Sequence, residues 1–550
     1  MRYVLGMCAV LAAMPLAAQP VINTSGAVSA ASYSPVGLPN SAIAQGSVFI
    51  VFGKNLGPAS IVSASYPLSS TLAGTSAAVT VNGTTVSPPV IYTVAGQVAL
   101  LMPSSTPTGS GTIAITYSGQ TSPPVAVQVT AANFGILTVN QGGSGPAVVT
   151  DANYVVITPT HAATPGQSLI AWGTGLGKIA ADETQPPPQG NVGTKPTVWM
   201  GSQQAGVQYW GRSGCCAGLD QINFQVPAGT TGCYVPVAVQ TGGTVSNFGS
   251  IAVAASGSVC SDPVGLTSAQ LAPVQNGQNL NVATLALSRS IVSLNLSPPA
   301  TSTTTTSDSG SASFLRYTPA QLDATSFGQT VSVGGCMVYP INATATVSDP
   351  VQPLGLDAGA NIPVGGTNGT VQLPPVLSNK GYYYEALGSS PTSPLFLDVS
   401  GHTMNVFGGS DVGDFAAEVS MPPALAWSNR SGITTVSESQ GVTVNWTNAV
   451  SGGYVTVTGY SFSLGQSGSL GAGARFYCTA PAGSNGAGQF SIPSYVLQSL
   501  PVTAAGASTP SGFLGISTQT TAGEIGVVRG IDVASAHGVL QLLQNVTYTQ

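Results

Sequence analysis

Charge is what this chain has least of: eleven Lys and Arg and seventeen Asp and Glu among 550 residues, 5% in all. An ordinary soluble domain carries roughly 25%. The surface must therefore be wetted by uncharged groups, and no basic stripe exists to neutralise a row of phosphates, which argues against nucleic acid as a partner. Histidine is almost as scarce, with only His161, His402 and His537 present, so acid–base catalysis has few groups to draw on. No G-x-S-x-G elbow occurs. No cysteine pair has the C-x(2 to 4)-C spacing of a structural zinc site. Beyond the N-terminus no stretch approaches the roughly 18 consecutive apolar residues of a membrane-spanning helix, so the mature chain is expected to carry no transmembrane segment.

In place of charge the chain has Ser, Thr, Asn and Gln together with 69 Gly and 40 Pro. That mixture suits short strands separated by turns and disfavours long helices. The length predicts about three to four domains. At the N-terminus, Arg2, the apolar run Val4 to Met14 and the small residues Leu16-Ala17-Ala18 before Gln19 have the order of a secretory signal, with cleavage expected after Ala18. A buried N-terminal strand is the alternative. Cys8 lies inside the apolar run, with too little apolar chain before it for a lipoprotein signal.

Six cysteines follow that segment: Cys215, Cys216, Cys233, Cys260, Cys336 and Cys478. An even number in an exported chain favours disulfides. Their clustering suggests two bridges among the first four and one between Cys336 and Cys478, although six cysteines allow fifteen connectivities.

An internal repeat is the most informative pattern. GSVFIVFGKNLGP from Gly46 answers GQSLIAWGTGLGK from Gly166, and the stretch Ala77 to Pro103 answers Pro196 to Pro227. Each copy closes with an alternating strand, through Ile113 and Ile115 in one and Val235, Val237 and Val239 in the other. One sandwich of roughly 100 residues per copy fits this pattern. WGTGLGK, Trp172 to Lys178, lacks the G-x-G-x-x-G spacing of a nucleotide loop. Its counterpart at Lys54 to Gly57 marks the glycines as part of the repeat.

The ordered motifs G-x-x-(V/L)-x-I-x-G-x-x-L-G, V-x-V-x-G and Q-(V/I)-x-(F/L)-x-(V/M)-P resemble the IPT/TIG immunoglobulin-like domain. WGTGLGK with GLDQINFQVPAGTTGCYVPVAVQTGG resembles more specifically an uncharacterised domain family that recurs in secreted acidobacterial proteins, over about residues 27 to 257. The resemblance implies β-sandwiches in a cell-surface or secreted setting and carries over no catalytic residues. DVSGHTMNVFGGSDVGDFAAEVSMP, followed by ALAWSN and GVTVNW, is similar to a second module that accompanies the first, also without known activity.

The organisation expected is a signal peptide over 1–18, Ig-like sandwiches over 27–135 and 136–258, a linker and Ser/Thr-rich segment over 259–330, and a β-rich C-terminal region over 331–550. The fold class is all-β: tandem immunoglobulin-like sandwiches followed by a further sandwich-rich region with one or two short helices. Thr318 is expected to cap a helix that starts at Pro319, and SIPSYVLQSLP near Ser494 suggests another. Pro298 to Ser313, rich in Ser and Thr, reads as a linker or exposed loop. Val442, Val444 and Trp446 are expected to share one strand face.

No catalytic residues emerge. Asp398, Ser400 and His402 would be loosely spaced neighbours on a strand, and His402 reads as a polar strand or turn residue. His161 and His537 read as loop residues. Asp411, Asp414 and Glu418 form the densest acidic cluster and could hold Ca²⁺, although a turn in which the aspartates cap their own backbone is favoured. No other cofactor is implied. Tyr382 and Tyr384 are candidates for a sugar platform, with core packing the commoner explanation of such a cluster. The expected function is non-catalytic: a secreted or cell-surface structural or adhesive protein whose partners are other surface proteins or polysaccharide, with self-association through edge strands conceivable. The alternatives are a carbohydrate-binding accessory protein and, behind it, a secreted hydrolase.

Overall fold

A computed structural model describes residues 19–295, 302–341, 352–465, 469–504, 509–520 and 525–550. The expected signal segment, 1–18, lies outside them. No helix among the described residues is long and apolar enough to cross a membrane.

Short runs of β-branched residues between glycine turns build two sheets from the first repeat. One runs in the order Val21–Ser29, Val48–Lys54, Gln97–Leu101, Val90–Val94, Val62–Ser63. The other runs Ile43–Ala44, Val125–Thr130, Gly109–Tyr117, Thr75–Val81, Thr71–Leu72. The inward residues of both layers, Phe49, Val51, Val98 and Leu100 against Val79, Val81, Ile113 and Ile115, are buried in one core. This is the strand order of an immunoglobulin-like sandwich.

The second repeat follows the same path. Gly135–Ile136, Ser168–Thr174, Asp220–Gln225 and Gln203–Arg212 form one layer; Gly145–Pro146, Gly249–Val253, Gly232–Thr241 and Thr197–Met200 form the other. Gln203–Arg212 joins the two layers, pairing with Thr197–Met200 through its first residues and with Asp220–Gln225 through the rest, with a register shift between Val207 and Tyr209. Such an irregularity raises local twist and lets one strand serve both layers.

The remainder is built on a nine-stranded sheet in the order Cys336–Ile341, Leu470–Pro481, Tyr454–Leu464, Gly512–Gln519, Val533–Asn545, Leu280–Leu294, Thr303–Tyr317, Leu354–Gly355, with Tyr382–Ser390 also paired to Thr303–Tyr317. Two small sheets back it. The one made of Gly369–Leu373, Ile362–Gly366, His402–Val406 and Phe415–Val419 packs Val364, Met404 and Val419 on Leu285, Leu287 and Phe314. The other, Ala426–Trp427, Val442–Thr447 and Gly488–Ile492, packs Val444 and Trp446 on Val455, Phe476 and Leu514. The fold is all-β and sandwich-rich. Its short helices are Ser268–Gln275, Pro319–Ala324 and Ser494–Leu497. Thr318 caps the second, taking the Gln321 amide on its hydroxyl while the Gln321 side chain returns to the Thr318 amide.

The Ser/Thr-rich tract corrects one expectation. Its residues 298–301 lie outside the described residues, but Thr303–Tyr317 is a fifteen-residue strand paired along its whole length with Leu280–Leu294. Within the 259–330 segment, Leu280–Leu294 and Thr303–Tyr317 thus belong to the C-terminal sheet. Thr is β-branched and suits a strand, and its hydroxyls serve a solvated face. Asp308, in the middle of the tract, is buried, receives Arg289 Nε at 2.7 Å and accepts the Phe396 and Leu397 amides.

The three units are welded by side chains. Arg212, 1% exposed, pairs with fully buried Asp220 and donates to the carbonyls of Gly46 at 2.9 Å and Gly177 at 2.7 Å, so it joins the two sandwiches. Asp220 also accepts the Gly175 and Leu176 amides, both at 2.8 Å. Burial pushes its carboxyl up, while the guanidinium and these amides pull it down. The glycines of WGTGLGK thus shape a junction: Gly175 has φ +113°, and a Cβ there would lie 2.1 Å from the Asn133 carbonyl oxygen. Between the second sandwich and the C-terminal unit, Tyr495 stacks on Trp199 at 4.4 Å between ring centroids and lies near Phe248. Three disulfides lie within units: Cys215–Cys216 and Cys233–Cys260 in the second sandwich and Cys336–Cys478 in the C-terminal unit.

Candidate functional site

The nine-stranded sheet has two unlike faces. Val455, Val457, Phe476, Cys478, Leu514, Ile516, Leu540 and Leu542 point inward and are buried. Their alternates point out, and cross-strand pairing aligns them in rows, because directly opposed residues share a face. One row reads Thr479, Thr456, Ser517, Gln541, Ser290, Ser307, Ser389. The second sandwich closes one end of this face, where Leu280, Val282, Leu315 and Tyr317 join its core.

Beside that closed end lies a groove of about 340 Å³. Its floor is Tyr454, Thr456, Tyr477, Thr479, Ser517 and Gln519, and its wall is the segment Gly328 to Val331. Every lining residue is uncharged. Tyr454 and Tyr477 are half-buried. Because Tyr477 faces Thr458, four residues along from Tyr454, the two residues are offset by about 13 Å along the strands. Arg475 stacks on Tyr477 and Tyr339, 5.6 and 6.0 Å from the ring centroids, and burial pushes the Tyr339 hydroxyl up to about 12.

The residues singled out in the sequence lie elsewhere. Tyr383 is buried and donates its hydroxyl to the Gly359 carbonyl at 2.7 Å, Tyr384 is 52% exposed, and Tyr382 packs against the core of the second sandwich. The pair Tyr382 and Tyr384 therefore shares a strand face but not a common open platform. Asp411, Asp414 and Glu418 are not gathered either, and the described residues contain no group of three metal-ligating side chains. Asp411 accepts the Asp357 amide at 2.8 Å and lies 3.4 Å from Lys380 Nζ. That amide, first, and the lysine hold its carboxyl low. Glu418, on its strand, receives the Thr403 hydroxyl at 2.7 Å. Asp411 and Glu418 are thus committed to different partners, the Asp357 amide and the Thr403 hydroxyl.

Among the histidines, His537 departs from the expected loop position, while His402 opens the strand His402–Val406, within the strand-or-turn reading, but is buried there. His402 is 1% exposed, and neither ring nitrogen has a hydrogen-bond partner; Asp398 and Ser400 sit in the turn before its strand, with Asp398 bonded to Thr367 and to the Ser400 amide. The turn breaks the alternation that a continuous strand would have given. His537 lies within the strand Val533–Asn545, where its pairing with Leu280–Leu294 overrides the following glycine. His161 is in a turn, 3.3 Å from Asp151. Tyr454 and Tyr477 were missed, although the alternation of Tyr454, Thr456, Thr458 and Tyr460 was a readable sign of an outward aromatic and hydroxyl face.

No family model matches the chain, and no curated protein matches it. Among solved structures it is similar to a gamma-CGTase from alkalophilic Bacillus clarkii, at 12% identity over 49% of this chain and 34% of that one, with a TM-score of 0.15. The chain thus spans about a third of that enzyme. It is also similar to domains 5–6 of the S-layer protein SbsC, at 15% identity over 43% of this chain and 98% of that one, TM-score 0.16. A third likeness is SGBP-B from a complex xyloglucan utilization locus in Bacteroides uniformis, at 11% identity over 69% and 88%, TM-score 0.16. TM-scores of this size carry no argument, so the immunoglobulin-like assignment of the two sandwiches stands on their own strand order.

Proposed function

We propose that this chain is an exported, non-catalytic surface protein whose paired sandwiches, of the IPT/TIG kind, hold the C-terminal unit out as a rigid binding module. The observation that carries the reading is the welding of the units. A fully buried Arg212 reaches from one sandwich to a backbone carbonyl of the other, and Tyr495 of the last unit is stacked on Trp199 of the second sandwich. Flexible linkers suit independent modules, whereas buried junctions suit a spacer that fixes the distance between two attachments. Burial of His402 without a partner is consistent with a non-catalytic role. Disulfides support an oxidising, extracellular setting.

The test is to incubate the purified protein with isolated cell envelopes and with soluble polysaccharides and proteins, following both retention and the size of the partner. Saturable retention with the partner's mass unchanged over hours is the expected result. Steady cleavage of any partner, lost on removal of a single side chain, would overturn the reading.

A further inference from the structure

We infer that the groove on the outer face of the nine-stranded sheet binds a neutral polysaccharide, with the sugar chain running along the strands from Tyr454 to Tyr477. The inference rests on the non-catalytic reading above and names its ligand class. Pyranose rings present an apolar C–H face and a rim of hydroxyls. Their recognition requires flat aromatic surface for the first and uncharged donors and acceptors for the second. The groove supplies both, with Tyr454 and Tyr477 at its two ends and Thr456, Thr479, Ser517 and Gln519 between and beside them.

The charge argument selects among polymers. No lining residue is ionised, so a uronate or sulfate would lose its hydration without gaining an ion pair on the groove floor. Arg475, next to Tyr477 on the same strand face but outside the groove lining, is held against two tyrosine rings. Length also follows from geometry: residues offset by about 13 Å along the strands are both covered only by several consecutive sugars. Affinity should therefore rise with oligosaccharide length until both tyrosines are covered, and then level off.

The experiment is affinity electrophoresis and titration calorimetry of the purified full chain. The probes are neutral polymers (xyloglucan, a mixed-linkage glucan, galactomannan and starch), oligosaccharides of increasing length from the polymer that binds, and polygalacturonate and alginate as acidic comparators. The proposal expects saturable binding to at least one neutral polymer, weaker binding to the acidic ones, and at least a tenfold loss in Tyr454→Ala and in Tyr477→Ala, with Tyr384→Ala unchanged. Ser517→Arg, which fills the groove without removing a core side chain, should give the same loss while the thermal transition is preserved, and so guards against variants that fail to fold. Binding that survives Ser517→Arg and both tyrosine variants would overturn the groove as the site, yet leave a binding protein in place. Equal affinity for acidic polymers, or no binding to any neutral polymer, would overturn the ligand class. The non-catalytic reading falls separately, and only if a partner is cleaved.

Discussion

Cys336 and Cys478 stand directly opposite each other on neighbouring strands, Cα atoms 4.0 Å apart, 1% and 0% exposed, and their bond closes a loop of 142 residues. Cys233–Cys260 closes one of 27. Cross-linking restricts the unfolded chain in proportion to the logarithm of loop length, which gives about 5 kcal/mol for the longer loop and about 3.5 kcal/mol for the shorter. Cys215 and Cys216 are adjacent and restrict almost nothing. The double variants Cys336→Ala/Cys478→Ala and Cys233→Ala/Cys260→Ala should therefore lose stability in that order, and Cys215→Ala/Cys216→Ala should lose little. Alanine is preferred to serine because a buried hydroxyl without a partner would add its own cost.

The probe is built in. Trp427 and Trp446 both lie within the long loop, in the same core as the Cys336–Cys478 bridge, while Trp172, Trp199 and Trp210 lie in the second sandwich, so guanidinium unfolding followed by fluorescence reports both units. A chain of several cores does not unfold in one step, and each variant should move the transition of its own unit. If removal of the Cys336–Cys478 bridge costs no more than removal of Cys233–Cys260, the loop-length reasoning is wrong.

Arg212→Met should destabilise the junction of the sandwiches by about 3–5 kcal/mol, because Asp220 would be left buried and uncompensated. The double variant Arg212→Met/Asp220→Asn should recover most of that in calorimetry, since the amide oxygen still accepts from Gly175 and Leu176. Glu438, 5% exposed with one oxygen unpartnered, has its carboxyl pushed from 4.5 up to about 7 by burial. The folded state then holds a proton that the unfolded state has released, so this contribution is present below pH 4.5 and is lost as pH rises through about 7. The gap is worth about 3 kcal/mol at most, and solvent access through the adjoining cleft cuts it to about half. Glu438→Gln should flatten that part of the stability profile in denaturant titrations from pH 4 to 8. Sedimentation velocity should show a single-chain species at all attainable concentrations, and reversible oligomers that grow with concentration would show that the sheet edges are open to pairing.

The two sandwiches were readable because their signals are local and repeated. A glycine corner follows each Val48–Lys54-type strand, and alternation of Val and Ile then sets which residues face the core. The capped helix at Thr318 was readable for the same reason. The tract at Thr303–Tyr317 was not, because hydroxyl residues on a solvated sheet face have the composition of a linker, and the partner that settles the matter, Arg289, approaches only across the strand pairing. The site suffered similarly. Tyr454 and Tyr477 belong to different strands and meet through register, while the adjacent tyrosines at 382–384 were conspicuous in sequence and are divided by alternation between two faces. Asp411 looked like a ligand beside Asp414, but its partner is Asp357, 54 residues away.

Scarcity of charge poses a problem that the topology answers. Proteins commonly guard sheet edges with Lys or Glu against pairing with another chain, and this chain has few of either. Most of its edges are instead kept short or broken, the five-residue Gly369–Leu373 and Gly488–Ile492 being exceptions, while the longer Tyr382–Ser390 shifts register and carries Glu385. The outermost strands Ile43–Ala44, Val62–Ser63, Thr71–Leu72, Gly135–Ile136, Gly145–Pro146, Leu354–Gly355 and Ala426–Trp427 are two residues each. Val21–Ser29 is longer but shifts register between Ile22 and Ala27, and Cys336–Ile341 carries Pro340, which has no amide to offer. Phe415–Val419 is an edge that does bear a charge, Glu418. Protection by geometry leaves the groove lining free of ions, with Arg475 beside it held against two tyrosine rings, without making the rims of the long sheet adhesive. The groove is then available to a partner that presents hydroxyls and apolar rings, which an ionic surface would hold at a distance through its own hydration.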